Sequence, residues 1–263
     1  MAHDTDNIFV VVSEPRTGST VLTHKLELLD NVSCQGEIFH PDEIFSSAKE
    51  DSIPSRQERD ADPVEFLHKI IKETYKQRGQ SKTIGFKLFF DHNTTVTNYV
   101  LNKKIPIVFL ERCNKLAQYS SLKIAKKTGK WNSDDVLSKE QEELNKKRGK
   151  KVRFSLIEFI AYSIRSRYRF INLINKAKKS NTPYYYTTYE KMFDTQEWKK
   201  IISFLNIETS SIEVNSSYEK QNKGSIFSRF SNPGYAFFCC RLLQLVPLAP
   251  GYLHLTPDMF QKA

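Results

Sequence analysis

The sequence predicts an α/β protein built on an open, mostly parallel sheet with helices on both faces. Short runs of β-branched and aromatic residues, nearly free of charge, are typical of parallel strands that are buried on both sides. These runs alternate with longer segments that have helical spacing of apolar residues. A loop with a glycine joins the first such run to the first helix, as in one half of a βαβ unit.

Each strand is predicted from one such run, bounded by polar or turn-forming residues. The runs at 8–12 and 105–110 consist of apolar residues, so we expect both strands in the interior of the sheet. The predicted strands, in chain order, are 8–12 (IFVVV), 83–90 (TIGFKLFF), 105–110 (IPIVFL) and 183–187 (PYYYT).

Helices are predicted wherever apolar residues recur every three or four positions. The longest one should turn a single apolar face to the core, with Leu156, Phe159, Ile160, Ile164, Tyr168, Ile171 and Ile174 on that face. The predicted helices cover 21–29, 64–78, 114–128, 155–178 and 198–205.

The 263 residues suit a single domain spanning 1–263. Residues 46–65 are polar and turn-rich and are predicted to form a surface loop. The charged stretch 129–152 is predicted as an exposed insert. From about residue 228 we expect a tail made of a buried helix and a proline-rich loop, and a peripheral contact with a membrane surface or a second copy is the alternative.

The charge is uneven along the chain. The net charge is +10, yet the segment from Lys103 to Lys179 holds 21 basic and 7 acidic residues and is therefore +14 by itself. A field of this sign attracts anions. A polyanionic nucleotide and a nucleic acid both fit, and a simply solvated lysine-rich surface is the alternative.

Other sequence features narrow the class of protein. The four cysteines lack C-x-x-C spacing, which indicates reduced thiols, and no His/Cys cluster has the spacing of metal ligands. The sequence begins without a basic and apolar leader and has no membrane-spanning run, so a cytoplasmic protein is predicted. The oligomeric state is left open.

The first strand-to-helix loop, Arg16-Thr17-Gly18-Ser19-Thr20, has the composition of an anion site. Backbone N–H groups at a helix N-terminus favour anions, a glycine permits close approach, and an arginine adds a fixed positive fork. It lacks the lysine of a Walker A loop, which argues against a nucleoside triphosphate with magnesium. The alternative is an ordinary helix capped by Ser or Thr.

Further motifs follow in order along the chain. The run at 105–110 leads into Arg112, and Ser120 lies eight residues later on the next predicted helix. Tyr189 follows the fourth predicted strand, and Lys223-Gly224 closes a basic loop.

Taken together these motifs resemble the sulfotransferases that use 3′-phosphoadenosine 5′-phosphosulfate (PAPS), most closely the bacterial trehalose- and nodulation-factor-type carbohydrate sulfotransferases. The resemblance runs from about residue 8 to 225 and implies a P-loop-like fold. It implies that residues 16–20 bind the 5′-phosphosulfate, that Arg112 and Ser120 bind the 3′-phosphate, that Tyr189 lies near the adenine, and that 223–224 close over the 3′-phosphate. Asn206 stands where the family often has glycine.

The resemblance also implies sulfuryl transfer to a hydroxyl of a small acceptor, a carbohydrate or glycolipid, without a metal ion and without nucleic acid. Such a hydroxyl needs a base. Glu37 matches the acidic base of the trehalose-type enzymes, while His40 and His92 are rivals. Arg16 would stabilise charge on the leaving group and Lys87 would stabilise the sulfuryl oxygens. The alternative is a basic protein that binds nucleotide or nucleic acid without transferase activity.

Overall fold

Five strands form one parallel sheet in the order β2-β3-β1-β4-β5. The structure is a computed structural model that describes residues 7–47, 53–78, 83–131, 137–209 and 225–245. The open parallel α/β architecture predicted from the sequence is confirmed. The strands are β1 (Ile8–Ser13), β2 (Val32–Gln35), β3 (Thr83–Phe89), β4 (Ile107–Glu111) and β5 (Tyr184–Thr188).

The register brings the carboxyl ends of the central strands to one edge. Ser13, the last residue of β1, pairs with Phe89 of β3 on one side and with Leu110 of β4 on the other. Ligands of open parallel sheets bind beyond this edge, because the loops that follow the strands converge there.

Strand β2 was not predicted, and its composition explains why. The segment VSCQ is four residues long and half polar, so it lacks the apolar run used to predict the other strands. All four side chains are nevertheless buried. Gln35 is accommodated because its amide nitrogen donates to Oγ1 of Thr74 at 2.9 Å.

Nine helices are described. The five helices predicted from spacing, and the C-terminal helix, are present with ends shifted by a few residues. The helices are α1 (Ser19–Glu27), α2 (Arg56–Ala61), α3 (Pro63–Arg78), α4 (Thr94–Asn102), α5 (Lys115–Thr128), α6 (Lys139–Arg148), α7 (Leu156–Lys179), α8 (Thr195–Phe204) and α9 (Pro233–Leu245).

Two helices lie within segments predicted as loop or insert. Helix α2 begins with a capping box in which Ser55 and Glu58 each bond the other's backbone N–H. Helix α6 begins at a similar cap, since the Ser138 side chain accepts from the Gln141 N–H. Both helices are polar, so apolar periodicity gave no sign of them.

The chain divides into two compact units. The first comprises Met1–Glu111 and Phe170–Ser216, and the second comprises Arg112–Arg169 and Ser217–Ala263, in both cases as far as the residues are described. In the first unit, Val10 and Val12 pack into one cluster while Phe9 and Val11 pack into another. Because neighbouring strand residues point to opposite faces, the sheet is covered on both sides, as predicted.

The second unit has an aromatic core. Tyr119, Phe154 and Phe230 pack together, with ring centroids of Phe154 and Phe230 5.3 Å apart. A short β-bridge joins Val152 to Phe230. The Asn232 side chain strengthens this junction because it bonds both the N–H and the carbonyl oxygen of Phe154, at 2.8 and 3.0 Å.

The predicted apolar face of α7 is wrong in part. Ile164 and Tyr168, which were expected in the core, are 52% and 66% exposed, and Ile157 is 81% exposed. Phe159, predicted on the same face, is buried, and so are Ser163 and Ser166, which were not predicted there. The exposed row starts at Ile157 and the buried row starts at Phe159, two residues later. Two residues correspond to about 200° around a helix with 3.6 residues per turn, so the two rows lie on opposite faces. The predicted face therefore mixed residues of both rows, and it is wrong at Ile164 and Tyr168, which belong to the exposed row.

Within the described part of the chain, no helix combines the length and the apolar character needed to cross a bilayer.

Candidate functional site

The loop between β1 and α1 is shaped for an anion. Arg16 and Gly18 both have left-handed backbone conformations, with φ of 66° and 88°. Gly18 is the N-cap of α1, and no side chain caps this helix. The alternative of an ordinary Ser- or Thr-capped helix is therefore wrong. The first N–H groups of α1 lack a side-chain acceptor, which suits a bound anionic oxygen.

The hydroxyl groups of this loop have different surroundings. Thr17 is buried and its Oγ1 donates to the carbonyl oxygen of Glu14 at 2.8 Å, which closes the turn. Ser19 is also buried. Thr20 is half-buried, and its Oγ1 accepts a hydrogen bond from Nζ of Lys87 at 3.3 Å. The Thr20 hydroxyl therefore links this loop to a charged side chain of β3.

Lys87 joins the loop to the proposed base. Its Nζ lies 3.4 Å from Oε1 of Glu37 and 3.3 Å from Oγ1 of Thr20. The side chain of Lys87 is 8% exposed and that of Glu37 is 20% exposed. Strand β3 lies between β2 and β1, so Lys87 belongs to an interior strand of the sheet. Three predicted site residues thus come together at the loop edge of the sheet.

The loop that carries Glu37 is fixed at both of its ends. Oε1 of Gln35 accepts from Oγ of Ser46 at 2.7 Å and from the Ser47 N–H at 2.9 Å. A Cβ on Gly36 would lie 2.6 Å from the carbonyl oxygen of Phe45. Glycine is therefore required next to Glu37 because the far end of the loop passes directly over it.

Arg59 organises the same loop, and sequence reasoning missed it. Its side chain is 4% exposed, and its Nη1 donates to the carbonyl oxygen of His40 at 2.5 Å and to that of Glu43 at 3.3 Å. Its Nε pairs with Asp60 at 2.7 Å. A single arginine in a polar segment gives no sequence signal. The capping box at Ser55 could have predicted α2, but not what the arginine contacts.

His40 and His92, the rival bases, lie beside one another with ring centroids 5.6 Å apart. Nδ1 of His40 accepts a hydrogen bond from the N–H of Asp42 at 3.2 Å, and this bond stabilises the turn at 40–42. Burial, reinforced by the nearby charges of His40, Arg59 and Lys87, lowers the pKa of His92 to about 4. A histidine with so low a pKa is neutral at pH 7 but is a weak proton acceptor.

Tyr189 packs against the loop between β1 and α1. A Cβ on Gly18 would lie 2.7 Å from Cε2 of the Tyr189 ring and 3.3 Å from Cε of Met192. Lys25 holds this segment against α1, since its Nζ donates to the Met192 carbonyl oxygen at 3.3 Å and lies 4.7 Å from the Trp198 ring. Burial lowers the pKa of Lys25. The tyrosine predicted to lie near the adenine therefore contacts the loop predicted for the 5′-phosphosulfate.

In the second unit, the predicted 3′-phosphate residues have an additional neighbour. Nη1 of Arg229 donates to Oγ of Ser120 at 3.2 Å. Burial, together with the positive charge of Arg112, lowers the pKa of Arg229 to about 10. Two arginines and a serine hydroxyl therefore form one cationic cluster. Lys223 and Gly224, which were predicted for the same phosphate, lie outside the described residues.

Arg229 is held in place by backbone pairing. Its carbonyl oxygen accepts the Val152 N–H at 3.0 Å, next to the bridge between Val152 and Phe230. The surrounding segment SIFSRF carries no motif that singles this arginine out. The second unit contains another buried cation, Lys115 of α5. Its Nζ donates to Oγ of Ser166 at 2.9 Å.

Among the described residues, no group of three His, Cys, Asp or Glu side chains is arranged to hold a metal ion.

The fold and the loop define an open parallel α/β protein with an anion-type turn after its first strand. No protein-family model and no curated protein sequence matches the chain. Solved structures do match, among them that of mouse sulfotransferase SULT7A1 complexed with PAP, with 16% sequence identity and a TM-score of 0.43. The alignment covers 78% of this chain and 61% of the mouse chain, so this chain spans about three fifths of that protein's length. A likeness of this size does not identify a family, and the function has to be inferred from the site.

Proposed function

We propose that the protein is a sulfotransferase that moves the sulfuryl group of PAPS to a hydroxyl of a small acceptor. The observation that carries this proposal is the position of Nζ of Lys87, in contact with both Thr20 of the anion-type loop and Glu37. One ammonium group thereby connects a place for the transferred anionic group with a carboxylate that can take a proton.

The donor is bound through its charges. Arg16 and the first N–H groups of α1 bind the 5′-phosphosulfate, because both offer positive charge to anionic oxygens. Arg112, Ser120 and Arg229 bind the 3′-phosphate. Lys223 and Gly224 close over the same phosphate in this proposal, and Arg229 is an addition to the residues expected from the sequence. Tyr189 contacts the adenosine end of the 5′-phosphate.

The chemistry is an in-line transfer. The acceptor oxygen forms a bond to sulfur while the bond from sulfur to the bridging oxygen of the donor breaks. Glu37 takes the proton of the attacking hydroxyl, and Lys87 stabilises the sulfuryl oxygens during transfer. The electron pair of the breaking bond stays on the 5′-phosphate, which Arg16 neutralises. The products are an ester sulfate and adenosine 3′,5′-bisphosphate.

The acceptor is proposed to be a carbohydrate or glycolipid, on the resemblance of the loop and of the Glu37 segment to the bacterial carbohydrate enzymes. Its hydroxyl must reach Glu37, which is 20% exposed at the loop edge of the sheet. A cytoplasmic location goes with this proposal.

The test is the Glu37→Gln variant, assayed with radiolabelled PAPS against a panel of sugars and glycolipids. We expect turnover to fall by about two to four orders of magnitude, the usual contribution of a positioned base. Calorimetry should show unchanged binding of adenosine 3′,5′-bisphosphate. Glu65→Gln, at an exposed carboxylate in the first turn of α3, is the matched control. Near-normal turnover in Glu37→Gln would remove this residue from the mechanism, and absence of bisphosphate binding by the unaltered protein would remove the function.

A further inference from the structure

A strongly basic segment lies on the surface of the second unit, and the proposed chemistry does not use it. Residues 146–153 (KKRGKKVR), which we call the basic segment, contain six basic residues and no acidic one. Lys146, Lys147, Lys150, Lys151 and Arg153 are all exposed. The glutamates of α6 lie in the first half of that helix, within 140–143, so the positive charge is concentrated at its end and in the residues that follow.

The backbone of the basic segment is anchored to the rest of the second unit. The carbonyl oxygen of Lys151 accepts a hydrogen bond from Nζ of Lys127 at 2.7 Å. Val152 is buried and forms the β-bridge to Phe230. The exposed cations are therefore carried by a backbone of fixed position, which lowers the entropic cost of bringing them against an anionic surface.

Helix α9 begins beside the end of the basic segment. The side chain of Asn232, which directly precedes α9, bonds both the N–H and the carbonyl oxygen of Phe154, the residue that follows Arg153. In the first turn of α9, the ring centroid of Tyr235 lies 6.1 Å from that of Phe154. The cations and the start of this helix thus belong to one surface of the second unit.

The outer side of α9 carries an apolar row, which we call the α9 row. It consists of Tyr235, Phe238 and Leu242, which are 51%, 59% and 46% exposed. Their spacing of three and four residues places them on the same side of the helix. Ala236 and Cys239, which lie between them in sequence, are buried in the aromatic core of the unit.

Cations beside an exposed apolar row indicate an anionic lipid surface, because such a surface offers negative headgroups directly above an apolar phase. Helices that lie in the membrane interface combine Phe and Leu with Lys and Arg, and tyrosine is enriched at the headgroup level. A nucleic acid offers phosphates but no apolar phase in which Phe238 and Leu242 would be buried. A second copy paired through the α9 row would bring one basic segment towards the other.

We propose that the basic segment and the α9 row together form a peripheral binding site for an anionic membrane. The lysines of the segment contact the headgroups, and Phe238 and Leu242 enter the boundary between headgroups and acyl chains. Two signals of this kind, each weak by itself, combine into stable attachment. This proposal is independent of the sulfuryl-transfer proposal, because no residue of the basic segment or of the α9 row belongs to the candidate active site.

The test is sedimentation of the full chain with vesicles of phosphatidylcholine alone and with vesicles that contain about one third phosphatidylserine. We expect the protein to sediment with the anionic vesicles only. Raising the salt concentration from about 0.1 M to about 0.5 M should release it, because the charges are then screened.

Removal of the lysines tests the electrostatic part. The quadruple variant Lys146→Gln, Lys147→Gln, Lys150→Gln and Lys151→Gln should bind anionic vesicles about a hundred-fold more weakly or worse, at about five-fold for each cation near the surface. The matched control changes four exposed lysines of the first unit to glutamine, and its affinity should stay within about three-fold. The control positions are Lys178, Lys179, Lys199 and Lys200.

Substitutions at Phe238 test the apolar part. Phe238→Ser should weaken vesicle binding about ten-fold or more, because it removes an apolar side chain from the lipid. Phe238→Trp should retain binding, since tryptophan is favoured at the membrane interface. Leu28→Ser, at a residue that is 49% exposed at the end of α1, should leave vesicle binding unchanged.

Several outcomes would overturn the proposal. These are failure to bind anionic vesicles, equal binding to both kinds of vesicle, and equal effects of the two quadruple lysine variants. Binding of a random RNA oligonucleotide without vesicle binding, insensitive to Phe238→Ser, would replace the membrane by nucleic acid. A dimer seen by analytical ultracentrifugation and lost in Phe238→Ser, again without vesicle binding, would replace it by a second copy.

Discussion

The ring of Tyr189 occupies the space where a side chain on Gly18 would begin. A Cβ at residue 18 would come within 2.7 Å of Cε2 of this ring, a separation that real Cβ atoms essentially never show. Gly18 also has φ of 88°. The turn after β1 therefore depends on glycine for two separate reasons, one in the backbone and one in packing.

Replacing Gly18 by alanine should damage both stability and ligand binding. The left-handed backbone alone costs about 1 kcal/mol with a side chain, and displacement of the Tyr189 ring adds about 1–3 kcal/mol. Urea unfolding should show a combined loss of about 2–4 kcal/mol. Calorimetry should show that adenosine 3′,5′-bisphosphate binds at least about ten-fold more weakly, since the loop and the ring both move.

The Gly129→Ala variant distinguishes the effect of a left-handed backbone from the effect of packing against Tyr189. Gly129 has φ of 71° at the end of α5, but a Cβ there meets only side-chain atoms at 3.8 Å, an ordinary contact. We expect it to lose about 1 kcal/mol of stability and to keep its affinity for the bisphosphate. Equal effects of the two substitutions would mean that the Tyr189 contact is unimportant.

Arg59 should matter for turnover more than for donor binding. Arg59→Met removes the charge-assisted bonds to the carbonyl oxygens of His40 and Glu43, each worth about 1.5–3 kcal/mol, and frees the loop that carries Glu37. Turnover should fall by about ten-fold or more, while the affinity for adenosine 3′,5′-bisphosphate stays within about two-fold.

Arg56→Met is the comparison on the same helix. Arg56 is exposed and makes one such bond, from Nη1 to the Asp42 carbonyl oxygen at 2.7 Å. We expect a loss of stability of less than about 1 kcal/mol and nearly normal turnover. A bisphosphate affinity that falls with turnover in Arg59→Met would show that this arginine supports more than the loop.

We expect Arg229 to lower the stability of the fold and to strengthen the binding of adenosine 3′,5′-bisphosphate. It is a buried cation next to Arg112, and relief of that repulsion and of the burial penalty should raise the melting temperature of Arg229→Met. The same variant should bind adenosine 3′,5′-bisphosphate about ten- to a hundred-fold more weakly, because a charge-assisted contact is lost. Arg241→Met, at an exposed arginine of α9, should change neither quantity. Unchanged bisphosphate affinity in Arg229→Met would remove it from the 3′-phosphate site.

His92 should make the protein less stable in acid. Its pKa is lowered from 6.5 to about 4 in the folded state, so between these values the unfolded chain binds more protons and stability falls as the pH falls. Above about pH 6.5 the two states bind protons equally at this residue. His92→Phe should flatten the pH dependence of unfolding between pH 6.5 and 4. Nuclear magnetic resonance should place the titration of the His92 ring near pH 4, and a midpoint near 6.5 would contradict the expectation.

Three of the four predicted strands, β1, β3 and β4, are buried along their whole length, and burial on both faces gives a strand an apolar composition. The fourth, β5, is partly exposed and was predicted from its run of tyrosines. β2 escaped prediction since Ser33 and Gln35 are buried polar residues, and their burial depends on partners such as Thr74 that are distant in sequence. The prediction for α7 was wrong at Ile164 and Tyr168 because these apolar residues lie on the exposed face. Periodicity reports where apolar residues fall on a helix, and it does not report which face meets the core.

The candidate site was predictable where a short motif carries the chemistry. Residues 16–20 and Glu37 stand in local patterns, and the structure places Thr20, Lys87 and Glu37 in contact. Arg59 and Arg229 were not predictable, because each acts through tertiary contacts that leave no spacing or composition signal. The histidine rivals were visible in the sequence, but the lowered pKa of His92 follows from burial, which a single sequence does not reveal.

The contact between Lys87 and Glu37 bears on what the protein does when no acceptor is present. Oε1 of Glu37 already accepts a hydrogen bond from Nζ of Lys87, so water arriving at Glu37 would compete with the lysine for this oxygen. Bound PAPS would then stay intact until an acceptor alcohol, or the charge of the bound sulfuryl group, moves Lys87 away from Glu37. If the proposed function holds, the contact between Lys87 and Glu37 would limit hydrolysis of PAPS while no acceptor is bound.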